Sequence, residues 1–306
     1  MVNEISCQDV AKIYDNGKEA LSAVSFTIPT RGIFALIGRN GAGKTTLTRI
    51  LSTLLEPSTG KATIDGLDVM TDASRLRERM AVVPQEGRVI PWMSPVQTIT
   101  SYLLWRGAGY REAKRKARDA VALVGIEEHA DRLNRTLSGG MKRKTLVAMV
   151  IASGADLIFL DEPSTGLDPI SRKDLWDLLT AVGRDRFLFM TTHYLEEAEA
   201  IADRIGILDN GRLLAMGTMD ELRSEAGHQY VLRFPAGTEL PPFEGEVMVG
   251  KDGLAQVMTT EEVSQTLTRA LIARGVRFSL NPVTLEDIFY QAVGRRLENE
   301  SEEAGD

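Results

Sequence analysis

The chain has 306 residues, 43% apolar and 26% charged, with a formal net charge of -7 and one cysteine. This balance suits a folded globular protein with a sizeable core, argues against a nucleic-acid-coating surface, and leaves no intrachain disulfide to require an oxidising compartment. No run reaches the roughly 18 apolar residues a membrane-crossing helix needs, and Met1-Val2-Asn3-Glu4-Ile5-Ser6 lacks the pattern of a secretion signal. The expectation is a cytoplasmic protein that meets a membrane only through another chain.

The first predicted elements are strands, Ile5–Val10 and Val24–Ile28, flanking the turn-like Asp15-Asn16-Gly17. Gly32–Ile37 is a short apolar run that reads as a buried parallel strand, and Lys44–Leu55 as the helix after it, ended by Glu56-Pro57-Ser58-Thr59-Gly60. Lys61–Val69 suggests a hairpin built around Asp65-Gly66. From about residue 86 to 152 the texture is helical, and the basic stretch Arg111–Arg118 reads as a solvent face. Strands are expected at Leu157–Leu160, Phe187–Thr191 and Ile205–Leu208, with helices Arg172–Val182 and Leu195–Ala202 between them. Such alternation argues for an α/β fold with a mainly parallel sheet covered on both faces. After Leu222 the composition shifts. Strands Tyr230–Phe234 and Glu246–Val249 and helices Glu261–Arg274 and Leu285–Val293 are expected there, before an acidic tail, Glu298–Asp306, that reads as disordered. The domains are drawn as 1–222 (helical part about 86–152), 223–297 and the tail 298–306.

The chemistry-bearing residues fall at the ends of these elements. In Gly38-Arg39-Asn40-Gly41-Ala42-Gly43-Lys44-Thr45-Thr46 a glycine-rich loop leaves a strand and opens a helix. Its glycines let successive N–H groups point at phosphates, and the helix N-terminus adds partial positive charge. Lys44 supplies a full charge for the β- and γ-phosphates, and the Thr45 hydroxyl is a ligand for Mg²⁺. Asp161 and Glu162 follow Leu157–Leu160, so both carboxylates emerge at the carboxyl edge of the sheet. Asp161 is expected to hold Mg²⁺ and Glu162 to polarise the attacking water. Ser138-Gly139-Gly140, at the start of another helix, is a second anion site. Two half-sites per chain make sense if two chains pair head to tail. Lys142-Arg143-Lys144 reads as a solvated basic turn.

In order, Gly38–Thr45, Gln85, Leu137-Ser138-Gly139-Gly140, Leu157–Glu162 and His193 resemble the nucleotide-binding subunit of ATP-binding-cassette transporters. The resemblance implies a P-loop NTPase core with an antiparallel β subdomain and a helical signature subdomain, plus a small α+β C-terminal extension. It implies ATP and Mg²⁺ as cofactors, and a second ATP-binding subunit and an integral membrane permease as partners. Nucleotide contacts are implied for Asn40, Gly41, Ala42, Gly43, Lys44, Thr45 and Thr46, and for Ser138, Gly139 and Gly140 across the subunit pair. Gln85 would reach Mg²⁺ and water, His193 the γ-phosphate, and Asp168 the opposite subunit. Tyr14 is either an adenine-stacking ring or a half-buried strand-end tyrosine. The family's usual glutamine after the two glycines is Met141 here. Pro91-Trp92-Met93 and Tyr102-Leu103-Leu104-Trp105 are either subdomain core or the lining of a groove for a permease helix. Pro282–Phe289 resembles a C-terminal helix of subunits serving drug, lipid or polysaccharide export. The alternatives are a soluble ATPase of the same superfamily and a nucleotide-gated regulatory module.

Overall fold

The computed structural model describes residues 3–249 and 253–293; the acidic tail lies outside them. The chain divides between Leu214 and Ala215 into two compact units. In chain order the first runs β1 (Glu4–Ile13), β2 (Glu19–Pro29), β3 (Ile33–Ile37), α1 (Lys44–Leu51), β4 (Thr59–Ile64), β5 (Leu67–Asp68), α2 (Ala73–Arg79) and β6 (Met80–Val83). It continues with α3 (Pro95–Trp105), α4 (Tyr110–Leu123), α5 (Gly139–Ala152), β7 (Leu157–Asp161), α6 (Pro169–Gly183), β8 (Phe187–Thr192), α7 (Leu195–Ile201) and β9 (Arg204–Asp209), and the division falls within β10 (Arg212–Gly217).

A four-stranded sheet, order β2-β1-β4-β5, is antiparallel throughout. Its β4–β5 hairpin turns on Asp65 and Gly66, both at positive φ, the geometry that suits the right-handed twist of the strands. The second sheet has six strands in the order β10-β9-β3-β8-β7-β6. From β9 to β6 every neighbouring pair is parallel. Every residue of β3, β7 and β8 is buried, so these strands read as apolar runs rather than alternations. Their register sets Ile37 opposite Thr192 and Asp161 opposite Thr191. The glycine-rich loop, the Asp161-Glu162 pair and His193 therefore leave the sheet side by side at its carboxyl edge, where open α/β sheets bind ligands.

Helix α1 stops at Leu51 rather than Leu55. Thr53 takes a left-handed φ of 64, and Arg77 of α2 donates to its Oγ1 and its carbonyl, both at 2.8 Å. These bonds fix the chain where another helical turn would run. The stretch expected to be helical over 86–152 resolves into α3, α4 and α5, two short 3₁₀ turns and loops. Val96, Ile99 and Leu103 of α3 meet Ala113, Ala117, Ala120 and Val121 of α4 and Ala148 of α5. Small side chains on the inner face of α4 let the helices approach closely. The charged residues of Arg111–Arg118 lie on its outer face, paired as Lys116–Glu112 at 2.8 Å and Arg115–Asp119 at 3.1 Å.

The second unit holds α8 (Met219–Ala226), β11 (Tyr230–Pro235), β12 (Val247–Val249), β13 (Leu254–Thr259), α9 (Glu261–Ala273), β14 (Ser279–Pro282) and the helix α10 over 285–293. Its sheet, order β12-β13-β11-β14, is antiparallel. Leu232, Phe234, Ala255 and Val257 pack there on Leu267 and Leu271 of α9. At the start of α10, Thr284 Oγ1 accepts from the Asp287 amide at 3.3 Å while the Asp287 carboxylate accepts from the Thr284 amide at 2.9 Å.

Candidate nucleotide site

Within the glycine-rich loop the glycines do different work. Gly41 and Gly43 take positive φ of 84 and 106. Gly43 is also enclosed: a Cβ there would lie 2.4 Å from the Ala20 carbonyl oxygen. Gly38 has an ordinary φ, yet a Cβ on it would lie 2.1 Å from the Leu208 carbonyl oxygen. It is needed for close packing on β9 rather than for the curl of the loop. Lys44, the first residue of α1, is buried and donates from Nζ to the carbonyls of Gly38 at 2.8 Å and Arg39 at 3.2 Å. Burial lowers its pKa, opposed by the nearby charges of Glu162 and Asp161. Tyr14 hydrogen-bonds through its hydroxyl to Thr46 Oγ1 at 3.2 Å, fastening the loop after β1 to α1.

A cleft of about 430 Å³ is lined by Tyr14, Lys18, Ala20, Asn40–Thr46, Gln85, Glu162 and His193. Three side chains converge there on the Glu162 carboxylate. Gln85 Nε2 donates to Oε2 at 3.2 Å, Thr165 Oγ1 donates to Oε2 at 3.1 Å, and His193 Nδ1 stands 3.2 Å from Oε1. Asp161, 2% exposed, accepts from the Thr191 hydroxyl. The backbone of Glu162 is unusual, with φ of 51 in the left-handed region. That conformation costs a non-glycine residue roughly 1–2 kcal/mol. It is held from both sides: the Glu162 amide donates to the Thr191 carbonyl and Oγ1, each at 3.1 Å, and its carbonyl accepts from Arg143 at 2.8 Å. A hydrogen bond from a charged donor is worth about 1.5–3 kcal/mol, enough to offset the strain.

The remaining expected residues lie elsewhere. Among the described residues, the cleft lining does not include Ser138, Gly139, Gly140 or Asp168, nor Asp161, which is buried next to Glu162 in the chain. Ser138 caps α5, its Oγ accepting from the Met141 amide at 3.2 Å. Gly140 packs where a Cβ would meet Leu167 at 3.0 Å, whereas a Cβ on Gly139 would meet nothing within 4 Å. Asp168 caps α6, accepting from the amides of Ile170 at 3.1 Å and Ser171 at 3.0 Å. The Ser171 amide bond is the largest cause holding its carboxyl below the usual range. Trp92 and Trp105 are 73% and 82% exposed, so neither is core. A groove of about 470 Å³ runs past Gln85, Val89, Leu146 and Gly166; of the apolar set, only Pro91 lines it.

Arg143 corrects the reading of a solvated basic turn. It is 8% exposed, and its guanidinium donates to the carbonyls of Pro84 at 3.2 Å, Pro163 at 3.2 Å and Glu162 at 2.8 Å, and also to that of Asp161. Its acceptors are main-chain carbonyls on other loops, so no local sequence pattern marks it. Glu197, fully buried in α7, likewise carries no local pattern that marks it as buried. It accepts from Ser164 Oγ and Trp176 Nε1, both at 2.9 Å, and burial raises its pKa.

A family model described as ABC transporter matches residues 21–165. The daunorubicin/doxorubicin resistance ATP-binding protein of Streptomyces peucetius is 37% identical over 224 residues, covering 73% of this chain and 68% of the relative. The Nod factor export ATP-binding protein I of Rhizobium etli is 31% identical over 302 residues, covering 96% and 94%. Among solved structures, a dimeric ATP-binding cassette in a post-hydrolysis state, bound to ADP and Pi, aligns with a TM-score of 0.65 at 21% identity, covering 70% of this chain and 98% of that one. At that identity the likeness speaks for the fold alone. With the loop, the paired carboxylates and the capped glycine turn in this arrangement, the chain belongs to the ABC transporter ATP-binding family and is an ATP-binding, ATP-hydrolysing subunit.

Proposed function

We propose that the chain pairs head to tail with a second ATP-binding subunit around two nucleotides and drives a separate membrane permease, in the direction of export. The observation that carries this reading is the convergence of Gln85, Thr165 and His193 on the Glu162 carboxylate beside the glycine-rich loop. In this reading the loop amides and Lys44 hold the β- and γ-phosphates, and Tyr14 packs against the adenine. Glu162 orients the attacking water, Gln85 and His193 hold that carboxylate and the γ-phosphate in line, and Asp161 neutralises charge.

The donor set suits a hard divalent cation: the Thr45 hydroxyl, the Gln85 amide oxygen and the Asp161 carboxylate are all oxygen ligands. A buried carboxylate such as Asp161 also gains from a cation beside it. Thr45, Asp161 and Gln85 would hold Mg²⁺, which would neutralise phosphate charge during transfer.

Ser138, Gly139 and Gly140 cap the partner's nucleotide. Support comes from Gly139, whose lack of a side chain no contact among the described residues requires. The groove past Gln85 receives a short helix of the permease, which places the chain at a membrane surface although no helix of the described residues is long and apolar enough to cross one. Export is supported by the likeness to a Nod factor export ATP-binding protein, and the likeness to a drug-resistance ATP-binding protein agrees with it; both weigh against the soluble-ATPase alternative. Two measurements test the proposal. Phosphate release from MgATP should fall by about 10²–10⁴-fold in Glu162→Gln. A tagged Glu162→Gln chain with MgATP should recover a polytopic membrane protein from native membranes, and Lys44→Ala should not. Undiminished turnover in Glu162→Gln would refute the role of that carboxylate, and recovery of soluble partners alone the permease.

A further inference from the structure

We propose that Arg143 is a positioning residue for hydrolysis, coupling the Ser138-Gly139-Gly140 end of α5 to the left-handed backbone of Glu162 in the same chain. The inference rests on the reading above, in which Glu162 orients water and the glycine turn caps the partner's nucleotide.

The argument starts from the acceptors. A buried guanidinium normally faces a carboxylate, but Arg143 directs its donors to the main-chain carbonyls of two loops, Pro84 on one and Asp161 to Pro163 on the other. Such a fork fixes the path of the chain, while the nearby Asp161, Glu162 and Glu197 carboxylates offset the burial of its charge. Glu162 is where that path is strained, with φ of 51, and backbone outliers of this kind persist only where the surroundings hold them. Its amide is held by Thr191 and its carbonyl by Arg143, so rotation of the Glu162 backbone must break the guanidinium contact. The fourth acceptor, Pro84, immediately precedes Gln85, whose amide donates to the Glu162 carboxylate. One side chain therefore sets both the backbone beneath the carboxylate and the entry of the loop that supports it.

The same side chain sits early in α5, the helix capped by Ser138. A shift of α5 when the glycine turn engages a phosphate is carried to Glu162 through this fork. Occupancy of the partner's cleft thus sets the carboxylate in this chain's own cleft, and the two hydrolysis events are coupled.

The test compares Arg143→Lys and Arg143→Met in the full chain, with Glu162→Gln alongside. It reads MgATP turnover against ATP concentration, affinity for a fluorescent ATP analogue, and thermal midpoint. Lysine keeps the charge but offers one nitrogen, which cannot span two loops. We expect kcat to fall about 10- to 100-fold in both variants. Nucleotide affinity should stay within about threefold of the parent, and any Hill coefficient above 1 should fall to about 1. Parent-like turnover in Arg143→Lys beside an inactive Glu162→Gln overturns the coupling alone. Affinity, turnover and thermal midpoint falling together in both variants reduces Arg143 to a structural role and overturns it equally. Parent-like turnover in Glu162→Gln overturns the underlying reading and the inference with it.

Discussion

Two glycines of the phosphate loop share a left-handed backbone but not an environment, and this gives a test at the level of single atoms. Gly41→Ala meets only backbone strain, roughly 1–2 kcal/mol, because the space beside it is open. Gly43→Ala meets the same strain and the Ala20 carbonyl at 2.4 Å, so it should lose clearly more stability in urea unfolding and more affinity for nucleotide. Equal losses would show that strain alone governs the loop. At this scale the sequence was legible wherever a residue type is tied to its chemistry by neighbours in the chain, as with Lys44 after three glycines or Glu162 after an apolar strand. Arg143 and Glu197 were not legible. Their partners lie on other loops and helices, and a charged residue beside other charges on a helix ordinarily faces solvent.

Between elements, Glu197 is the tie whose strength depends on pH. It joins α7 to Trp176 of α6 and to Ser164 in the loop after Glu162. Burial is the largest cause raising its pKa above the ordinary 4.5. A carboxyl raised in the folded state contributes stability that is full below its unfolded value and is lost as pH rises through the folded one. Glu197→Gln has no such dependence. The thermal midpoint of the parent relative to this variant should therefore rise as the pH is lowered from 8 towards 5. A constant difference would show that Glu197 titrates alike in both states. Element types followed from pattern where strands are buried on both faces or helices carry an apolar stripe. β10 and β13 also lie outside the expected strands, and β14 carries no signal because its four residues are all exposed at a sheet edge without alternation. The end of α1 was misplaced because a bond from α2, distant in sequence, decides it.

For the molecule as a whole, Cys7 offers a reporter of global opening. It sits in β1 between Phe26 of β2 and Ala62 of β4, 2% exposed, with its thiol pushed up to about 12 by burial. The thiolate is the reactive form, so alkylation at pH 8 should run at least about a thousandfold slower than in denaturant. Fast labelling under native conditions would reveal local fraying of this sheet. The parallel core could be read from sequence because the order of strand, loop and helix constrains parallel topology tightly, whereas the C-terminal sheet lacks such a constraint. One further consequence follows from the glycine turn of α5 lying outside the lining of its own cleft. In the head-to-tail pairing proposed above, each chain holds the front of one reaction chamber and the back of another, so defects in the two halves are separable. Chains carrying Lys44→Ala and chains carrying Ser138→Arg should occlude MgATP only when mixed, because about half of the resulting pairs contain one undamaged chamber; turnover should stay low, since the Glu162 of that chamber belongs to the chain whose own glycine turn faces an empty cleft. Two preparations that hold no nucleotide apart would hold it together.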